Sequence, residues 1–126
     1  MIIMDTCALL WQSFEPEKLS AKASKAIDSS QEILLSSISI WEVGIKLKSK
    51  KLSIPLKLSN YVERVKKVDR VRIIPADETT WVDSIDLAWD HTDPADRVIV
   101  ATAKRLAIPI VTADKEMKKF YKKVIW

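Results

Sequence analysis

Asp5, Glu42, Asp96 and Asp114 are the residues of this 126-residue chain whose types and placement could do chemistry. Asp5 directly follows the apolar run Ile2–Met4, and Asp114 closes Val111-Thr112-Ala113-Asp114. At either point a carboxylate has an ordinary use as the N-cap of the next helix. Asp96 is less ordinary. On a helical wheel it falls with Ile99, Val100, Ala103, Leu106 and Ala107, while Arg97, Ala101, Lys104 and Arg105 fall opposite. A carboxylate on an apolar stripe is costly to bury without a partner; its alternative use is a capping box with Asp93. Glu42 lies beside Ile38, Trp41 and Ile45, and its alternative is an i,i+4 pair with Lys46. Ile40, Val43 and Leu47 make the other side of that helix apolar too, so it is buried or part of a subunit interface.

Four carboxylates gathered at one edge would repel one another, and helix dipoles relieve this by only about 1 kcal/mol each. A divalent cation relieves it far better. An oxygen donor set selects Mg²⁺, Mn²⁺ or Ca²⁺, and such a centre hydrolyses phosphate esters by activating water and neutralising charge. The rest of the composition removes competing chemistries. The chain holds one glycine (Gly44), one histidine (His91) and one cysteine (Cys7). That excludes a dinucleotide fingerprint, a P-loop and a G-x-S-x-G elbow, and leaves too few ligands for a Cys/His zinc site. A two-histidine acid/base pair is impossible; His91 is read as a packing or hinge residue beside the acids.

Net charge is +4, from 21 basic and 17 acidic residues. If four acids are committed to a cation, the positive excess of the remainder doubles. Its bases cluster in Lys46–Lys51, Arg64–Arg72 and Lys115–Lys123, a pattern suited to a polyanion approaching an acidic centre. No apolar run approaches the roughly 18 residues that span a bilayer. With one cysteine and no signal-like N-terminus, the expected location is the cytoplasm.

The elements that must position these acids follow from apolar periodicity. Strands are expected at Ile2–Met4, Glu32–Ser37, Val71–Ile74, Pro109–Thr112 and Val124–Trp126. Helices are expected over Glu17–Ser30, from a cap at Ser37 or Ser39 to Ser49, over Leu58–Val68, over Glu78–Trp89, from Pro94 to Ala107, and in the Lys-rich segment after Asp114. Asp93-Pro94 matches an N-cap with proline at the first helical position. Apolar strands alternating with helices define an α/β domain spanning residues 1–126, with a mainly parallel sheet of four to five strands covered on both faces. Ligands in such sheets bind at the carboxyl ends of the strands, at a switch point.

Ile3-Met4-Asp5-Thr6, Ser39-Ile40-Trp41-Glu42, His91-Thr92-Asp93-Pro94-Ala95-Asp96-Arg97 and Val111-Thr112-Ala113-Asp114 resemble, in order and spacing, the successive motifs of PIN-domain nucleases. Within that family they are most similar to the VapC toxins of type II toxin–antitoxin systems. The resemblance covers essentially the whole chain. It implies a three-layer α/β/α fold, a homodimer, RNA as substrate (often tRNA or rRNA), Mg²⁺ or Mn²⁺ as cofactor, and a cognate antitoxin as partner. By the same resemblance Asp5, Glu42, Asp96 and Asp114 form the acidic cluster, with Asp5 and Asp96 touching the metal. Thr6 and Thr112 are then polar neighbours, and Asp93 assists, although N-capping is its first reading. Lys46, Lys118, Lys119, Lys122 and Lys123 become candidates for gripping the RNA backbone; for any one of them a solvated helix face serves equally well. The five tryptophans are read mostly as core, with Trp11 and Trp41 near enough to acidic motifs to flank a substrate groove or meet a partner.

Two other classes compete. A phosphoryl-receiver domain shares the length and topology but wants adjacent acids after the first strand and a phosphoacceptor after the third, where this chain has Pro75-Ala76-Asp77. A noncatalytic RNA-binding module would leave Asp96 on its apolar stripe unexplained.

Overall fold

The computed structural model describes residues 1–126. Five strands, β1 (Ile2–Met4), β2 (Ile33–Ser36), β3 (Val71–Ile74), β4 (Ile110–Val111) and β5 (Val124–Ile125), form one sheet in the order β3-β2-β1-β4-β5. Every pairing is parallel. Seven helices connect them: α1 (Thr6–Phe14), α2 (Ala21–Ser29), α3 (Ser37–Lys48), α4 (Leu58–Lys66), α5 (Glu78–Asp86), α6 (Pro94–Leu106) and α7 (Lys115–Phe120).

Strand alternation builds two cores. Ile2, Met4, Ile33, Leu35 and Val111 face one side, against Leu9, Ala23, Ile27, Val43 and Tyr61. Ile3, Leu34 and Ile110 face the other, against Val98, Ile99, Ala103 and Met117. The period of two sends each strand's neighbours to opposite faces, and helices on both faces complete the expected three-layer α/β/α fold. The strand order reverses between β1 and β4, so this is the switch point, with a crevice beyond the strand ends. No helix is long and apolar enough to cross a membrane. Gly44 lets α3 and α4 approach closely, since a Cβ there would meet Leu58 Cδ2 at 3.0 Å.

Several element boundaries depart from expectation. The polar segment expected as one helix from Glu17 is a 3₁₀ turn at Pro16–Lys18 followed by α2, whose N-cap is Ser20. Helix α1, given no bounds by the periodicity, begins at once after the Asp5 cap. The cap of α3 is Ser36, one residue before the earlier of the two expected serines. Helix α5 stops at Asp86 rather than Trp89, where Arg97 takes the Ser84 and Ile85 carbonyls that amides of a further helical turn would meet. Leu106, placed by the wheel on the buried stripe, is 43% exposed, and Ala101, placed opposite, is buried. The sheet covers one side of α6 and α5 the other, so its middle is buried all round.

Candidate metal centre

Asp5 lies at the end of β1, buried, where its two oxygens are separately employed. Oδ1 accepts from the Ala8 amide at 2.7 Å and so caps α1. Oδ2 accepts the hydroxyl of Thr112, at the end of β4. Thr112 Oγ1 in turn accepts from the Asp114 amide at 2.9 Å. Asp114 caps α7 through Oδ1 to the Met117 amide, at 2.8 Å. Thr6 donates to Ser39 Oγ at 3.0 Å, tying the starts of α1 and α3. Capping and cluster formation are therefore the same arrangement: helices that start at the strand ends bring their caps to one edge.

Asp96 stands in the first turn of α6. Its amide donates to Asp93 Oδ1 at 2.9 Å, which makes Asp93 the cap. The reciprocal half of a capping box is missing: the Asp96 carboxylate turns away and accepts from His91 Nε2 at 2.7 Å. Nor do the ion pairs of the structure join Glu42 to Lys46. Both side chains line the cleft instead, with Asp5, Thr6, Cys7, Trp11, Asp93, Asp96, Ala113 and Asp114, around a volume of about 350 Å³. All four carboxylates of the sequence pattern share this one cleft.

The electrostatics are those of a site prepared for positive charge. Burial pushes the Asp5 carboxyl up to about 6 against the pull of its Thr112 and Ala8 hydrogen bonds, and the Asp114 and Glu42 charges push the same way. Burial raises Asp96 to about 6 as well, opposed by the His91 hydrogen bond and aided by Asp93 and Asp114. Hydrogen bonding to Asp96 raises His91 above its usual range. Raised carboxylates in a polar cleft make it the candidate functional site. No three His, Cys, Asp or Glu side chains are so placed that they could hold an ion by themselves. The donor set nevertheless fits a hard cation of the Mg²⁺ kind, which takes one or two carboxylates and fills its remaining positions with water or phosphate oxygen.

Elsewhere the basic clusters divide. Lys46 lines the cleft. Lys118, Lys119, Lys122 and Lys123 are exposed on and after α7, where Lys119 pairs with Glu116 at 3.0 Å and Lys123 donates to Ala107 O at 2.9 Å. In the Arg64–Arg72 cluster, Arg70 caps the end of α2 through the carbonyls of Ile27, Asp28 and Ser30, and Arg72 pairs with Glu32 at 2.5 Å. Those two arginines stand at the opposite end of the strands. The tryptophans divide too. Trp11 lines the cleft and packs on Trp126, with ring centroids 5.5 Å apart. Trp81 is 42% exposed, against the expectation of a core role, while Trp41, set apart from that expectation with Trp11, is 56% exposed; the two share a groove with Ile38, Ala76 and Pro94. Asp77, after β3 where a receiver would carry its phosphoacceptor, caps α5 through Thr80 and does not line the cleft. Arg97 carries no signal in the sequence of its backbone contacts, being a lone arginine beside an aspartate.

The protein is a doubly wound parallel α/β domain with carboxylates gathered at its switch point. The PIN domain family model matches residues 2–123, and the chain belongs to that family. It is 25% identical over 118 residues to ribonuclease VapC22 of Mycobacterium tuberculosis, covering 93% of this chain and 89% of that protein. Among solved structures it is similar to a toxin–antitoxin complex from Klebsiella pneumoniae, with a TM-score of 0.72 at 15% identity over 100% of this chain and 97% of that one. It is also similar to M. tuberculosis VapC20, a sarcin-ricin loop cleaving toxin, with a TM-score of 0.67 at 12% identity over 94% of each chain.

Proposed function

We propose that this protein is a metal-dependent endoribonuclease and the toxin of a toxin–antitoxin pair. The observation that carries the reading is the meeting of Asp5, Glu42, Asp96 and Asp114 in one cleft at the switch point, in a chain of the PIN family. The names of the relatives, a ribonuclease and toxin–antitoxin proteins, support the substrate class and the partner.

Asp5 and Asp96 would hold Mg²⁺ or Mn²⁺, with Glu42 and Asp114 completing the negative field. A cation held there would supply charge neutralisation at a phosphodiester and a lowered pKa for water. The protein's own part is orientation. Thr112 and the Ala8 amide fix both oxygens of Asp5, so a buried carboxylate has no rotamer to search. Asp93 and Asp114 hold the starts of α6 and α7 at the cleft. Lys46 offers a cation to a neighbouring phosphate on the cleft wall, and Lys118, Lys119, Lys122 and Lys123 extend the attraction along the RNA. The exposed apolar side chains of α3 and α5, namely Trp41, Ile45, Trp81, Val82 and Ile85, suit pairing of two copies, and the working unit is a homodimer in the cytoplasm.

The test is incubation of antitoxin-free protein with total RNA and defined tRNA species in Mg²⁺, Mn²⁺ or EDTA. Discrete products that need the metal are expected. RNA binding without cleavage in every metal would favour the noncatalytic RNA-binding module instead.

A further inference from the structure

Arg97 uses its entire guanidinium on the backbone of the segment that carries His91. Nε donates to Ser84 O at 2.9 Å; Nη1 to Trp89 O at 2.5 Å and His91 O at 2.9 Å; Nη2 to Ile85 O and Leu87 O, each at 3.2 Å. Five donors meet five carbonyls, which is all that an arginine side chain has. Ser84 and Ile85 belong to the last turn of α5, whose carbonyls have no partner within the helix. The other three belong to the irregular stretch leading to α6, which lacks a ladder of its own. Arg97 has no donor left for a phosphate, so it is not an RNA contact.

The segment so gathered ends on His91, and the ring is held from its other side. It stacks on Trp89 with centroids 4.5 Å apart at 26°, and Trp89 stacks on Phe120 of α7 at 4.9 Å and 8°. An ionised carboxylate only accepts, so the hydrogen between His91 and Asp96 lies on Nε2. Ring, carboxylate and clamp all belong to one short stretch, since Asp96 and Arg97 are adjacent on α6.

We propose that His91 is a positioning residue for Asp96, aiming its carboxylate into the cleft, and that Arg97 is the clamp that holds His91 in place. The inference rests on the reading of Asp96 as a metal-holding carboxylate. Outer hydrogen-bond partners of metal ligands typically change metal affinity 10- to 100-fold when removed. The rival role for His91 has the opposite sign: a group that merely occupies Asp96 when no cation is bound would compete with the cation.

The experiment is Mn²⁺ binding by electron paramagnetic resonance at pH 8, without RNA, on wild type, His91→Ala, His91→Gln, Arg97→Lys and Asp96→Asn. Amide hydrogen exchange over residues 84–93 is followed in EDTA on the same proteins. His91→Ala is expected to weaken Mn²⁺ binding by about 10-fold or more. His91→Gln, whose amide can donate to the same oxygen, recovers most of the loss. Arg97→Lys accelerates exchange in 84–93, because one ammonium cannot span five carbonyls, and weakens Mn²⁺ binding in the same direction. Unchanged or tighter Mn²⁺ binding in His91→Ala, with binding still weakened in Asp96→Asn, overturns the positioning role while sparing the metal site. Unchanged binding in Asp96→Asn overturns both. Unchanged exchange in Arg97→Lys overturns the clamp.

Discussion

Thr112 donates its hydroxyl hydrogen to Asp5 across a separation of 107 residues, joining the ends of β1 and β4 where the strand order reverses. The same hydroxyl oxygen accepts from the Asp114 amide, so one small side chain orients one acid of the cluster and anchors the backbone of another.

Thr112→Val should therefore leave a buried carboxylate oxygen and an amide without partners. A loss of about 1–3 kcal/mol is expected by urea unfolding in the presence of EDTA, together with weaker metal binding. Thr112→Ser should retain both. Equal stability of the valine variant would show that this bond does not hold the site together.

Asp5 and Asp96 should each lower the stability of the metal-free protein as pH rises from about 4 to about 6. Burial penalises the ionised forms of Asp5 and Asp96, raising both from 3.8 to about 6, so the folded state binds these protons more tightly than the unfolded chain. Stability from each group is complete below 3.8, is lost as pH passes through 6, and is flat above. For Asp5 the loss is about 3 kcal/mol. Asp5→Asn in EDTA should then be more stable than wild type at pH 7 and no more stable at pH 4. Saturating Mg²⁺ should narrow the gap at pH 7 by stabilising wild type. A variant less stable than wild type at pH 7 in EDTA would contradict the burial penalty on the ionised Asp5 carboxylate.

Ala107 ends α6 in the left-handed region, with φ 55° and ψ 34°. Glycine removes the Cβ penalty there, and the Lys123 bond to Ala107 O uses only backbone oxygen. Ala107→Gly is expected to stabilise the protein by about 1 kcal/mol, seen as a higher urea midpoint with unchanged slope. A lower midpoint would mean that the methyl group packs more than its exposure suggests.

Lys46 and the lysines around α7 should separate in an RNA-binding assay made cleavage-free with Asp96→Asn. Lys46→Ala removes one cation at the cleft, so the slope of log affinity against log salt should fall by about 0.7. Reversing Lys118, Lys119, Lys122 and Lys123 together should weaken binding further and flatten the slope more. An unchanged slope in the fourfold variant would leave those lysines as a solvated helix face.

Much of this was legible in the chain itself, for identifiable reasons. Ile2–Met4 is a short apolar run buried by helices on both faces, Val71–Ile74 is a half-buried edge strand with Arg72 outward, and the ends of both coincide with the expected ones. Asp5, Asp93 and Asp114 announce themselves because a cap has a local signature, and the fold then turns three local signatures into one edge. The end of α5 was not legible, because it is decided by Arg97, which reaches back 12 or 13 residues to take Ile85 O and Ser84 O. The all-round burial of α6 was missed for a similar reason. A single-helix wheel knows one neighbour, whereas Ala101 is covered by a second. The exposure of Trp81 runs against composition altogether, since large aromatic side chains are ordinarily covered.

The central claim is that Asp5 and Asp96 hold the cation with which RNA is cut. It is tested most directly by single-turnover cleavage of one susceptible RNA in saturating Mg²⁺ at pH 8, comparing wild type with Asp5→Asn and Asp96→Asn after each is shown to be folded and to bind that RNA. A fall of about 100-fold or more in the cleavage rate of both variants is predicted, with RNA affinity kept within a few-fold. Cleavage by either variant at the wild-type rate, or wild-type cleavage that persists in EDTA, would contradict it.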